Sequence, residues 1–196
     1  MNSKAIGGIR YSTSLRLALI VCFTATNVAS RLLLAPLFNI KPTAFLTAVS
    51  GVLFGVSLGF IVGFLTMLLT DLLYFGAGYW SIATSFSMGF IGALAGILWF
   101  RRQDVRRLEL AVGGFLLTLL YDILTSIVTL LPLVKGFEAA IIGGFIGLFN
   151  PIPYPMGPVH EATTAFLMAT CAPAIIKAIR RIGVVPNEGK GCKEYP

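Results

Sequence analysis

The sequence predicts an all-α fold: a polytopic membrane bundle of six transmembrane helices, with both termini cytoplasmic and a short outer or re-entrant helix before the last span. Three observations predict it. First, Thr43 to Phe100 carries a single formally charged side chain, Asp71. A run that long must fold back, because ~20 helical residues already cross a ~30 Å hydrocarbon core. Second, the chain is 57% hydrophobic and 12% charged, whereas a soluble domain has ~25% charged residues. Third, the basic residues fall in short clusters between apolar runs, as in loops facing the cytoplasm. That placement argues against nucleic acid as the partner of the +7 net charge; membrane lipid surrounds the apolar runs instead.

The spans follow in order. The first covers about residues 15–35. Its basic flank (Lys4, Arg10, Arg16) also has the form of a signal peptide, but the apolar stretch runs on past Ser30 to Leu34, so a retained helix is expected. The second, about 42–54, is short. The third covers 57–75, with the break between them at Gly55. A single helix from Pro42 to Phe75 would be ~50 Å long, which no bilayer accommodates without a break. The fourth covers 81–100, the fifth 110–131 and the sixth 159–179. Phe137–Phe149 is apolar but only ~20 Å long as a helix, so it reads as the outer or re-entrant piece. It leads into Asn150-Pro151-Ile152-Pro153-Tyr154-Pro155, where the prolines exclude regular helix. Taken as a seventh span, it breaks the charge parity. Residues 1–14 are then a cytoplasmic N-terminal segment, 15–181 the transmembrane domain and 182–196 a tail expected to be disordered.

With the N-terminus inside, twelve of the fifteen Lys and Arg residues collect on the cytoplasmic side. Only Arg31, Lys41 and Lys135 remain outside. An even number of spans satisfies the positive-inside rule; an odd number places a basic terminus outside.

This topology brings the costly polar residues to the outer half. Asp71 lies at the outer end of the third span, just before Phe75-Gly76-Ala77-Gly78-Tyr79-Trp80. Tyr121 and Asp122 lie at mid-depth or beyond in the fifth. His160 and Glu161 open the sixth. Lys41, Tyr74, Tyr79, Trp80 and Asn150 complete an outer cluster of polar and aromatic groups, the composition of a small-molecule site. The expected substrate-binding residues are therefore Lys41, Asp71, Tyr74, Tyr79, Trp80, Tyr121, Asp122, Asn150, His160 and Glu161. Plainer roles stand beside these: Arg31 and Lys41 snorkelling to headgroups, Asp71 pairing with Arg31, Tyr79 and Trp80 in an interfacial aromatic belt.

Small residues form a second pattern. Ser14, Ala18, Cys22, Ala25 and Ala29 share one face of the first helix, which lets another helix approach closely. That face fits internal packing or a partner protein. Gly51, Gly55, Gly59, Gly63, then Gly89, Gly92 and Gly96, fit packing within the bundle.

Several chemistries find no support. Cys22, Cys171 and Cys192 make no metal or disulfide spacing. His160-Glu161 begins HEATT, not HExxH, and no GxxxxGK[ST] loop occurs. No cofactor is indicated and no catalytic residue is assigned. An intramembrane enzyme would need Asp71, Asp122, His160 and Glu161 to meet in space. A structural scaffold would lack a polar pocket.

In order and spacing these residues resemble a substrate-binding S component of the energy-coupling-factor (ECF) vitamin transporters. The resemblance covers about residues 15–181. It is carried by the AxxxA of Ala25 and Ala29, Pro42-Thr43-Ala44-Phe45-Leu46, Ser50-Gly51…Phe54-Gly55…Gly59-Phe60…Gly63, Asp71…Phe75-Gly76-Ala77-Gly78-Tyr79-Trp80, Gly89…Gly92…Gly96 and Pro155…His160-Glu161…Pro173. Val56 departs from it, standing where many relatives have Pro. The resemblance implies six helices and a vitamin-like ligand in an outward-facing pocket. It implies a transmembrane coupling subunit docked on the first helix at Ala18, Cys22, Ala25 and Ala29, driven by two ATPase subunits. Transport in this family is thought to involve toppling of the whole S component in the bilayer. The Phe-Gly-x-Gly-x-Trp pattern is similar to the branch linked with cobalamin-type substrates.

Overall fold

The computed structural model describes residues 13–37, 40–100, 102, 104–151 and 155–181. The described residues are helical and contain no strand. The helices are α1 (Thr13–Leu33), α2 (Thr43–Phe54), α3 (Val56–Thr70), α4 (Tyr79–Trp99), α5 (Arg107–Leu130), α6 (Phe137–Phe149), α7 (Met156–Thr170) and α8 (Ala172–Arg181). The expected tail (182–196), Tyr154 and the basic residues Lys4, Arg10 and Arg101 lie outside the described residues.

Four helices are long and apolar enough to cross a membrane: α1, α3 with its extension to Phe75, α4 and α5. The α7–α8 pair makes a fifth if counted as one bent span. The expected sixth span is thus not a straight helix; α7 and α8 meet at 43°. Pro173 explains the bend, since it lacks an N–H and its ring opposes the carbonyl four residues back. At 12 residues, α2 is shorter than a full crossing, and α6 is a 13-residue helix, as the short outer piece was expected to be.

α2 is the axis of the bundle. All of its residues except Leu46 are buried, as expected of a helix that is apolar on every face. Val49, Val52 and Leu53 pack in one cluster with Met88, Ile91 and Ala95 of α4, Leu110 and Leu117 of α5 and Met168 of α7. The break at Gly55 has φ +89°, a region where a side chain is strained. It lets α3 fold back beside α2.

The glycine ladders serve internal packing. A Cβ on Gly51 would strike the carbonyl oxygen of Gly92, and one on Gly59 would strike the same oxygen and the Cα of Gly51. One on Gly96 would strike Val56 N. Glycine at these positions lets α2, α3 and α4 approach to backbone contact, the device that replaces hydrophobic drive between helices in lipid.

α1 is the least embedded long helix. Only 17% of its membrane window is buried. Thr24, Asn27 and Arg31 face inward, and Ala18, Cys22, Ala25 and Ala29 are all exposed. The small-residue stripe therefore points away from this bundle.

Candidate functional site

The site is built at the end of the bundle where α3 stops. The last turn of α3 widens into a π-helical turn, Asp71–Phe75, and the chain reverses at Gly76, φ +82°. Such turns recur at functional sites. Gly78 N–H donates to Ser81 Oγ at 3.2 Å, fixing the start of α4. This geometry turns Asp71 inward, 2% exposed, and leaves Leu72, Leu73 and Tyr74 outside.

Asp71 meets Arg31. Arg31 Nη1 lies 3.0 Å from Asp71 Oδ1. The same nitrogen donates to Thr70 Oγ1. The Thr70 hydroxyl is free to accept because it donates its own proton to Thr66 O at 2.8 Å. The second Asp71 oxygen faces Thr84 Oγ1 at 3.4 Å. The Arg31 guanidinium also lies over the Phe75 ring, 4.5 Å from its centroid, and Lys41 Nζ approaches that ring at 5.7 Å. Both cations thus lie near the same aromatic ring. Burial and the neighbouring guanidinium of Arg31 push Lys41, in the α1–α2 loop, below the usual lysine range, against the opposing pull of Asp122 and Asp71.

A second pair joins α5 to α7. His160 Nδ1 lies 3.1 and 3.0 Å from the two oxygens of Asp122. An ionised carboxylate only accepts, so the tautomer with its proton on Nδ1 completes this hydrogen bond. Tyr121 packs edge-on against the imidazole, centroids 6.1 Å apart. Glu161 is 2% exposed beside them. His160 Nε2, Glu161 Oε1 and Thr164 Oγ1 are buried without a hydrogen-bond partner among the described residues. Among the described residues no group of three His, Cys, Asp or Glu side chains could hold a metal.

Beside these pairs, α4, α5 and α6 border an open cleft of about 380 Å³. Trp80, Thr84, Thr125, Ser126, Thr129 and Leu130 line it, with Gly143, Gly144 and Gly147 of α6 as a flat wall. Tyr79 Oη donates to the Thr129 carbonyl at 3.1 Å, tying α4 to α5 at the rim. Tyr79 and Trp80 meet edge-on at 5.4 Å.

Of the ten residues expected at the site, only Trp80 lines the cleft. Asp71, Tyr121, Asp122, His160 and Glu161 are buried in the helix packing beside it. Lys41 joins the two pairs electrostatically, since Arg31, Asp71 and Asp122 all act on its charge. Tyr74 is exposed and packs on Phe75, ring centroids 4.9 Å apart, and Asn150 is exposed at the end of α6. The sequence reading passed over Thr70, Thr84, Thr125, Ser126, Thr129 and the glycines of α6. It also passed over Asn27, whose Nδ2 donates to Thr43 O at 3.3 Å and Thr47 Oγ1 at 3.1 Å.

Residues 12–150 match the family described as ECF-type riboflavin transporter, S component. The match spans more than two thirds of the chain and includes α1 to α6, with the Arg31–Asp71 pair and the whole lining of the cleft. No curated protein and no solved structure matches significantly. The family is one of transporter subunits rather than enzymes. Helices long enough to span a membrane, glycine-mediated helix packing and this match lead to one conclusion: the chain belongs to the ECF-type riboflavin transporter S components, multi-pass membrane proteins that bind substrate for an ECF transporter.

Proposed function

We propose that this subunit captures a neutral, flavin-like heteroaromatic vitamin in the cleft between α4, α5 and α6. The observation that carries the reading is the lining of that cleft. Trp80 offers an aromatic face, Thr84, Thr125, Ser126 and Thr129 add a few acceptor oxygens to a mostly apolar lining, and no charged side chain is among the described residues that line it. A flat ring system bearing a polyol chain matches that chemistry. The volume of about 380 Å³ lies within the range of ligand pockets, ~300–1,000 Å³, and accommodates a flavin-sized ring system. The name of the matched family, a riboflavin transporter S component, points the same way.

In this reading the cleft opens outward and both termini are cytoplasmic. The supporting argument is charge: twelve of the fifteen basic residues then lie inside. Six membrane segments follow, α1 to α5 and the bent α7–α8, of which α2 is a short one inside the bundle, and α6 closes the outer side. ATP hydrolysis belongs to two partner ATPases, linked through a coupling subunit. The exposed face of Ala18, Cys22, Ala25 and Ala29 on α1 fits close approach by that subunit's helices. Titrating riboflavin into the protein in lipid nanodiscs tests the ligand; saturable quenching of flavin fluorescence that weakens in Trp80→Ala is expected. Absence of saturable binding would remove the flavin assignment.

A further inference from the structure

We infer that Thr84, Asp71 and Arg31 form a relay that reports occupancy of the cleft to α1, resting on the proposed ligand cleft and docking face. Thr84 is the shared residue: it lines the cleft and also faces the buried carboxylate of Asp71. Its hydroxyl has one proton and two acceptors, Ser81 O at 3.2 Å and Asp71 Oδ2 at 3.4 Å. Both contacts are long for O–H···O bonds and the one to Asp71 is the longer, so neither acceptor holds the donor firmly. A ligand group seated against Thr84 shifts that balance. It either withdraws the donor from Asp71 or fixes it there.

Asp71 has few other partners to absorb the change. Its Oδ1 holds Arg31, and Arg31 is one of only three inward-facing buried residues on α1, with Thr24 and Asn27. In lipid such polar contacts add to close side-chain packing in holding a helix in place. α1 has two polar anchors, Asn27 on α2 and Arg31 on the end of α3, beside the apolar packing of Leu19, Ile20 and Phe23, the last edge-on to Phe54 at 5.0 Å. The Asn27 contact lies about one helical turn from Arg31 and does not reach the cleft. A change at Asp71 therefore tilts α1 about Asn27, and the face carrying Cys22 and Ala25 moves with it.

Cys22 is exposed on that face and serves as the reporter. In a Cys171→Ser, Cys192→Ser background it is labelled with a nitroxide in nanodiscs, and riboflavin is the probe. Saturating riboflavin is expected to shift the label's spectrum in the parent and in Thr84→Ser, and to leave Thr84→Val unshifted at its own saturating concentration. An equal shift in Thr84→Val, or none in a riboflavin-bound parent, overturns the relay. A second arm uses no ligand and stays decisive if riboflavin or Thr84→Val fails to bind. Asp71→Asn and Thr84→Val each change Cys22 label mobility, and the double variant is expected to change it no more than Asp71→Asn alone. Additive changes overturn the relay. Failure of riboflavin binding in the parent with non-additive mobility leaves the relay standing and rejects only the flavin assignment.

Discussion

Arg31 on α1 and Asp71 at the end of α3 are joined at 3.0 Å, although forty residues separate them in sequence. Asp71 is the one charge in a 58-residue apolar run. The pair closes the α1–α3 contact and leaves neither charge facing lipid. Removing one partner strands the other, which costs about 3–5 kcal/mol at a buried pair. Arg31→Ala should therefore destabilise the protein by that order, and Arg31→Met with Asp71→Asn should recover most of the loss. Unfolding titrations in mixed micelles check this. A double variant as unstable as Arg31→Ala would mean the loss is not electrostatic.

The glycine contacts give a second expectation. A Cβ at Gly59 meets backbone atoms of Gly92 and Gly51, whereas one at Gly147 meets nothing within 4 Å. Gly59→Ala should cost about 1–3 kcal/mol through overpacking, and Gly147→Ala should be close to neutral. Thermal melting of the two variants side by side measures the contrast.

The exposed stripe of α1 gives a third. Ala25→Trp with Ala29→Trp should abolish co-purification with the coupling subunit and leave riboflavin affinity intact, since both residues point away from the bundle. Complex yield after affinity capture is the measurement, and an undiminished yield would place the docking face elsewhere.

Lys41 gives a pH prediction. Burial and Arg31 hold its folded pKa below the ordinary 10.5. The unfolded chain therefore binds more protons in the window between the folded value and 10.5, and stability rises with pH there. Below the folded value the full penalty applies. Melting temperature should climb as pH approaches 10.5, and Lys41→Met should flatten the climb. An unchanged slope in the variant would assign the rise to another group.

Much of this was legible in the sequence because charge and backbone geometry are costly in lipid. Asp71 stood alone in its run, and its expected partner Arg31 is the one found. Asp122 and His160, expected to converge from different helices, share a hydrogen bond. Gly55 marked the α2–α3 break. The α7–α8 bend was also written there, in Pro173, but an apolar run from 159 to 179 concealed it. The cleft was not legible. Hydroxyls in apolar helices are inexpensive because they bond back to their own helix, as Thr125 does to Tyr121 O at 2.9 Å. They therefore leave no mark in a count of polar residues. Thr84 and Thr129 acquire their roles only from which helices meet. The carboxylates expected as ligand contacts, Asp71, Asp122 and Glu161, are buried in the helix packing.

Flavin binding at the α4–α5–α6 cleft is the central claim, and a riboflavin titration of the full chain in nanodiscs, parent beside Trp80→Ala, tests it most directly. Saturable one-to-one quenching of flavin fluorescence is expected in the parent. A roughly ten- to hundred-fold loss of affinity is expected in Trp80→Ala, the scale of one aromatic stacking contact at about 1–3 kcal/mol. No saturable quenching, or equal affinity in the two proteins, would contradict it.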